Sequence, residues 1–351
     1  MNFVCKDFSF DKPDKTYLIA EVGVNHNRDI AIAKKMVEVA REAKADIIKF
    51  QLFDSEKEVS IHADKADYQK KNTSDNEGLN QLEMCKALEL SPENIKELKA
   101  FCEKLKMPFL CTAFEKYSLN YLVDGLGLKT IKIPSPEITN IPFLRQIGQK
   151  KVSVILSTGA SHLHEVALAI QTLKEAGCKE IVLLHCVSQY PTPYEDLNLR
   201  AMHTMKQAFG LPVGFSDHSL GIEADIAAAA LGAVVIEKHF TLDRNMKGPD
   251  HKASIEPDEL RALVKGLTIA NKALGSYIKQ PATCEQGNLS LIRKSLVAGI
   301  EIEKGKRLEE NMIEIKRPMG GVSPADLDKI IGLRVNRTIQ ADELIHWEDL
   351  A

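Results

Sequence analysis

His218, His239 and Glu237 stand out by type and spacing within residues 213–254, VGFSDHSLGIEADIAAAALGAVVIEKHFTLDRNMKGPDHKAS. Residues 213–216 read as a short buried strand, 222–231 as an alanine-rich helix closed by Gly232, and 234–238 as a second β-branched strand, which makes one βαβ unit. Alternate side chains of a strand share a face, so Ser216 with His218, and Glu237 with His239, project together at or just past a strand end. Parallel α/β folds bind ligands where their strands end. Two imidazoles and a carboxylate on one rim suit a divalent metal with positions left open for substrate oxygens. A strand-end histidine also serves as a hydrogen-bonded scaffold residue, and the separation of His218 from His239 matches no local metal motif. The residues alone leave both readings open.

Other short apolar runs end in a similar polar inventory: Glu21 with Asn25 and His26, Lys49 with Gln51, Thr112 with Phe114, Lys132 with Ser135 and Glu137, Ser157 with Thr158 and Gly159, and His185 onward to Tyr190. Each has a plain structural explanation, as a snorkelling lysine, a helix cap or a packed turn. Together, two lysines with serine and threonine hydroxyls make a pocket for a phosphate and a carboxylate. Glu21, Glu137, Glu237 and Asp250 are the carboxylates available for metal binding and proton transfer.

The elements that must carry these residues are eight β-branched runs, at 17–22, 46–50, 109–111, 130–133, 153–156, 180–184, 213–215 and 234–237. Helical patterns lie between most of them, at 31–43, 92–106 and 164–175 for example. Eight such units predict a (β/α)₈ barrel, and the lack of a GxGxxG after the first run weighs against a doubly wound sheet. The interval between the second and third runs is about twice the others; its polar insert, 54–90, leaves the catalytic rim and reads as a lid, or else as a surface excursion without a role. The periodicity fails after Gly275. Residues 276–290 have linker composition, and 291–351 read as a small domain too short to bury much core alone, leaning on the barrel 1–275 or on another subunit.

At 351 residues the chain exceeds the usual single-core limit, in keeping with a barrel plus a small domain. A content of 44% hydrophobic and 27% charged residues is that of a soluble enzyme with a large core. A net charge of −3 gives no support for nucleic-acid binding, so an anionic ligand must be held by a local cluster. The seven cysteines form no CxxC pair and read as reduced thiols. With no apolar run of membrane-spanning length and no signal-like N-terminus, the chain is expected in the cytoplasm.

The segments IAEVGVNHN, IIKFQLF, IKIPSPEITN, ILSTGA, LLHCVSQYPTPYEDLNL, GFSDHS, VIEKHFTLD, GPDHKASIEPDEL and KRPMGGVSP follow in the order and spacing of the sialic acid synthases, and the chain resembles that family essentially end to end. The resemblance implies a phosphoenolpyruvate-dependent condensation on the barrel, a small antifreeze-like (SAF) C-terminal domain and a domain-exchanged homodimer. It implies that Lys49, Gln51, Thr112, Lys132, Ser135, Ser157 and Ser216 surround phosphoenolpyruvate. His218 and His239 would bind a divalent ion, manganese above all, with Mg²⁺ or Co²⁺ as alternatives. Phe114, Tyr190, Asp250 and Arg317 would contact the acyl-amino sugar, while Glu21, Glu137 and Glu237 are the catalytic carboxylates. The chain departs from the family pattern at Arg28 and Pro136, where glycine is usual, at Ala113, at Met319-Gly320-Gly321, and at Ser188, where some members have asparagine. Pro136 removes a backbone donor and fixes φ beside Ser135.

The acceptor so implied is an open-chain N-acetylated hexosamine: 2,4-diacetamido-2,4,6-trideoxymannose, giving legionaminic acid, or N-acetylmannosamine, giving N-acetylneuraminic acid. Two alternatives remain at this level, a related keto-acid synthase using an aldose phosphate and a barrel that binds acidic sugar without catalysis.

Overall fold

All eight apolar runs form strands in the computed structural model, which describes residues 3–4, 9–10, 15–73 and 80–351. β1 (Tyr17–Gly23), β2 (Ile47–Leu52), β3 (Phe109–Ala113), β4 (Thr130–Ile133), β5 (Ser153–Ser157), β6 (Ile181–Cys186), β7 (Val213–Asp217) and β8 (Val235–His239) each pair in parallel with their sequence neighbours. β8 also pairs with β1, which closes the barrel. Helices α1 (Ile30–Glu42), α2 (Pro92–Leu105), α3 (Lys116–Asn120), α4 (Ile141–Gln149), α5 (Leu163–Glu175), α6 (Ala201–Phe209), α7 (Glu223–Ala230) and α8 (Pro257–Leu274) follow the strands in turn, so the architecture is a (β/α)₈ barrel. Their starts obey local chemistry: Asp29 accepts from the Ala31 and Ile32 amides ahead of α1, and Ser91 accepts from Asn94 N with proline as the first residue of α2.

Period-two alternation divides each strand between two surroundings. Outward residues such as Leu18, Ile48, Phe50, Cys111, Ile131, Leu156 and Leu183 pack against the helices in the main core. Inward residues Tyr17, Ile19, Ile47, Leu110, Ile155, Val182, Leu184 and Val235 fill the barrel floor. One step further along the strands the inward positions turn polar. The register sets Glu21 opposite both Lys49 and His239, Gln51 opposite Thr112, Thr112 opposite Lys132, and Ser216 opposite Glu237. An apolar plug therefore supports a polar layer at the C-terminal ends of the strands.

The insert after β2 folds into short helices, Ser55–Glu58, Asp67–Asn72 and Gln81–Leu88, with 74–79 outside the described residues. Asn72 Nδ2 donates to Pro249 O at 2.8 Å, and the Tyr68 ring stacks on Tyr190 at 5.0 Å. The insert thus covers the rim and is no free surface excursion. Arg28, at a position where the resembled family has glycine, adopts φ 62°, a left-handed conformation that costs a non-glycine residue about 1–2 kcal/mol. Its Nη1 reaches Lys86 O of the insert at 3.5 Å, the outer limit of a hydrogen bond.

The chain divides into two compact units, Met1–Gly275 and Ser276–Ala351. In the second, β9 (Ser295–Ala298) pairs antiparallel with β10 (Ile313–Lys316). Isolated bridges link Ile302 with Ile339 and Val335 with Leu350. The expectation that this segment buries little core by itself is corrected. Leu296, Ala298, Ile302, Leu308, Ile330, Ile339 and Ile345 are almost wholly buried in a cluster of their own, because extended segments wrap around them although few are long enough to form strands. Among the described residues, no helix is long and apolar enough to cross a membrane. The described cysteines are free, and Cys5 lies outside the described residues.

Candidate active site

The polar layer is a network of buried charges. Lys49 Nζ lies 2.8 Å from Glu21 Oε2 and 3.4 Å from Glu237 Oε2, and it donates to Thr112 Oγ1 at 3.1 Å. Gln51 Nε2 donates to Glu21 Oε1 at 2.9 Å. On the other side, Lys132 Nζ is 3.2 Å from Glu237 Oε1, to which Ser216 Oγ donates at 2.9 Å. The two glutamates are driven apart. Burial raises the Glu21 carboxyl above the ordinary range against the pull of Lys49, whereas at Glu237 burial is outweighed by Lys132 and Lys49, which hold it at about 2. Burial, with Lys49 nearby, lowers the Lys132 ammonium. Carboxylates separated in this way suit one to proton transfer and leave the other as a fixed counter-charge.

Beside this network, Ser135 Oγ accepts from Gly159 N at 2.9 Å, and Ser157 Oγ is buried without a hydrogen-bond partner among the described residues. Pro136 does not disturb Ser135: it sits in the first turn of a 3₁₀ segment, Ser135–Thr139, where a backbone N–H has no helical partner to lose. Gly159 is required by space, since a Cβ there would lie 2.3 Å from Ser188 Oγ and 2.8 Å from Ser135 Oγ.

His218 and His239 face each other with ring centroids 5.5 Å apart. His218 Nδ1 donates to Val187 O at 2.7 Å, which leaves Nε2 as the position open to a ligand, and among the described residues His239 Nδ1 is buried without a hydrogen-bond partner. Burial, His218 and Lys49 keep the His239 ring neutral, the ligating form. Gly23 makes room for it: with φ 54°, its missing Cβ would stand 3.0 Å from the imidazole. Among the described residues no group of three or more His, Cys, Asp or Glu side chains forms a metal cluster. Against burial, Cys186 and the Val187 carbonyl raise the His218 ring, so a bound ion would have to displace its proton. The facing pair, with an unpartnered buried nitrogen on His239, nevertheless fits an ion whose other positions are filled by substrate or water. Tyr190 covers the pair, 3.9 Å from the His218 ring and 5.8 Å from His239. Asp250 completes this side; burial pushes its carboxyl up to about 6, with His218 opposing and Glu21 adding.

These groups open into one cavity of about 460 Å³. Of the residues singled out in the sequence, Glu21, Lys49, Gln51, Thr112, Phe114, Lys132, Ser135, Ser157, Tyr190, Ser216, His218, Glu237, His239 and Asp250 line it. Glu137 does not itself line it; its Oε2 accepts from Asn140 Nδ2 at 2.6 Å, and burial first, then Glu137, raise the carboxyl of the lining residue Glu58. Arg317 lies in the second unit and is exposed. Sequence reasoning missed Cys186, which the alternation Val182, Leu184, Cys186 along β6 would have placed inward, and the walls supplied by Tyr68, Met84, Cys85, Leu88 and Pro249. Nothing in the insert's pattern marked Tyr68, Met84, Cys85 or Leu88.

The NeuB family model matches residues 36–279 and the SAF domain model residues 293–351. The N,N'-diacetyllegionaminic acid synthase of Campylobacter jejuni is 46% identical over 94% of this chain and 99% of its own length. The enzyme of the same name from Legionella pneumophila is 41% identical over 95% of this chain and 94% of its own. Among solved structures, the N-acetylneuraminic acid (sialic acid) synthetase of Leptospira borgpetersenii, in complex with citrate, superposes with a TM-score of 0.72 at 33% identity, covering 82% of this chain and 95% of that one.

Proposed function

The chain belongs to the NeuB family, and on that premise we propose that it condenses phosphoenolpyruvate with the aldehyde of an open-chain N-acetylated hexosamine, giving a nine-carbon 2-keto-3-deoxy acid and phosphate. The observation that carries this reading is the paired cations Lys49 and Lys132 among the hydroxyls of Thr112, Ser157 and Ser216, with Gln51 and Ser135 at the edge: a site for a small molecule bearing both phosphate and carboxylate. C3 of the enol adds to the aldehyde carbon, and water captures C2. The tetrahedral centre then expels phosphate by cleavage of its C2–O bond. Glu21, raised by burial, takes the proton of the entering water and passes it to the alkoxide left on the former aldehyde carbon; Glu237, held ionised, keeps the lysines in place, and Glu137, whose Oε2 accepts from Asn140, is the third carboxylate assigned to the reaction. Exclusion of bulk water by the insert protects the cationic carbon.

His218 and His239 would hold a divalent ion, Mn²⁺ or in its place Mg²⁺ or Co²⁺, and when bound it would supply a Lewis acid for the aldehyde oxygen. Phe114, Tyr190 and Asp250 form the acceptor side with the insert. An unphosphorylated acceptor is favoured because Lys49 and Lys132, assigned to phosphoenolpyruvate, are the only Lys or Arg side chains among the described lining residues, which leaves none for a second phosphate. Of the two acceptors, 2,4-diacetamido-2,4,6-trideoxymannose is favoured by the relatives named for legionaminic acid. With phosphoenolpyruvate carrying ¹⁸O at the bridging position, the label should leave with phosphate. Label retained in the keto acid would overturn the water-capture step.

In this reading residues 1–275 are the synthase barrel, 276–290 a linker and 291–351 the SAF domain of a domain-exchanged homodimer. Arg317 of the partner subunit then reaches the acceptor. A charge-assisted hydrogen bond is worth about 1.5–3 kcal/mol, so Arg317→Ala should weaken acceptor use roughly ten- to a hundredfold and leave phosphoenolpyruvate affinity nearly unchanged. Mixing Arg317→Ala with Glu21→Ala subunits should regenerate sites that have both residues. If subunits exchange and the mixture is no more active than its parents, the shared site is wrong.

A further inference from the structure

Asp217 and Lys238 break the pattern of the outward-facing barrel surface. On β7 and β8 the side chains alternate, so Ser216, His218, Glu237 and His239 line the cavity while Asp217 and Lys238, set between them, point toward the helices. Outward positions on the other strands are apolar apart from His185, as Leu18, Ile48, Ile131 and Leu183 show. Lys238 is wholly buried. Its Nζ pairs with Asp217 directly across the β7–β8 register, donates to Ser219 O at 2.7 Å and lies 3.6 Å from Asp225 Oδ2 of α7. Asp217 in turn accepts from Ser219 N at 2.8 Å and from Ser219 Oγ at 3.0 Å. Asp225 is different in kind: among the described residues neither of its oxygens has a partner at hydrogen-bond distance, and burial, with Lys238 opposing and Asp217 adding, raises its carboxyl well above the ordinary range.

Stability does not account for this arrangement. Apolar side chains of similar volume match or exceed a buried ion pair in stability, and they are what the other outward positions use. Apolar contacts tolerate sliding, whereas hydrogen-bonded charges fix direction and distance. We propose that Lys238 and Asp217 form an ionic clasp behind the cavity that ties β7, β8 and the turn at Ser219 together and so sets the spacing of His218 from His239. Both are positioning residues, since neither lines the cavity. Asp225 stands outside the β7–β8 register and lies 3.6 Å from Lys238, beyond hydrogen-bond distance, so it adds charge beside the clasp without fixing its geometry. The inference rests on the reading of His218 and His239 as a metal-binding pair.

Two isosteric variants of the full chain separate the clasp from ordinary packing. Co²⁺ alone is titrated into metal-free protein by calorimetry, and kcat and the KM for phosphoenolpyruvate are measured at saturating Mn²⁺. Asp217→Asn should weaken Co²⁺ binding by about tenfold or more, the usual consequence of losing an outer-shell support, and should lower kcat by about tenfold or more with KM nearly constant. Asp225→Asn should match the parent in both. Equal behaviour of the two variants would overturn the proposal. Should Asp217→Asn not fold, the Lys238→Met/Asp217→Asn/Asp225→Leu variant decides, because it removes all the ionisable groups of this cluster at once. It should fold and still bind Co²⁺ weakly; parental affinity, or failure to fold, would assign the three residues to folding alone. A parent that binds no Co²⁺ defeats the metal reading instead, and the kcat comparison still decides the clasp.

Discussion

His239→Ala is expected to lower turnover at least about a thousandfold, the several kcal/mol that a Lewis acid at the reacting oxygen supplies, while the barrel stays folded. The two effects diverge because His239 Nδ1 is buried without a partner. Its removal relieves an unsatisfied polar group, which offsets part of the cost of the cavity left behind. Phosphate release followed against Mn²⁺ concentration, together with a melting curve, checks both halves. Loss of activity should persist at high metal and the melting temperature should move by only a few degrees. A variant that folds and keeps a tenth of parental turnover would remove the imidazole from the chemistry.

Lys49→Met is expected to act on both function and stability. The ammonium is shared by Glu21, Glu237 and Thr112, so deleting it leaves two buried carboxylates with Lys132 as their nearby cation. Breaking a buried pair in this way costs about 3–5 kcal/mol of stability. Loss of a desolvated charge contact to the substrate phosphate or carboxylate costs about 2–5 kcal/mol, or roughly thirty- to several thousandfold in kcat/KM for phosphoenolpyruvate. A second change, Glu21→Gln, removes one orphaned charge. The double variant should therefore recover much of the melting temperature and none of the phosphoenolpyruvate binding, the readout that does not depend on Glu21 as base. Recovery of both together would show that Lys49 serves only to neutralise Glu21.

The alternation of side chains along short strands made most of the site legible before any coordinates. Once β1, β2, β4, β7 and β8 are placed, Glu21, Lys49, Lys132, Ser216 and Glu237 must face inward, and parallel register brings them to one level. Cys186 follows from the same rule on β6 and was overlooked because a cysteine in an apolar run reads as core. The contribution of Tyr68, Met84 and Cys85 was not legible, since the insert has no period that tells which face turns toward the rim. The reach of Glu137 is harder to read, because the 3₁₀ turn that begins at Ser135 breaks the period-two alternation that orients the strand residues. Lys238 and Asp217 appeared in the sequence only as neighbours of the histidines. Their meaning depends on α7 and on the turn at Ser219, which no local pattern specifies. The small C-terminal core escaped for a related reason, because isolated bridges hold segments too short to register as strands.

Condensation with a neutral aldehyde is tested most directly by phosphate release from phosphoenolpyruvate in the presence of Mn²⁺ and a panel of acceptors. Release should require an N-acetylated, unphosphorylated hexosamine, fastest with 2,4-diacetamido-2,4,6-trideoxymannose, and should match the nine-carbon keto acid formed mole for mole. With Lys49 and Lys132 the only Lys or Arg side chains among the described lining residues, aldose phosphates should be idle. Release driven by an aldose phosphate and by no neutral sugar, or binding of acidic sugars with no release from any acceptor, would contradict it.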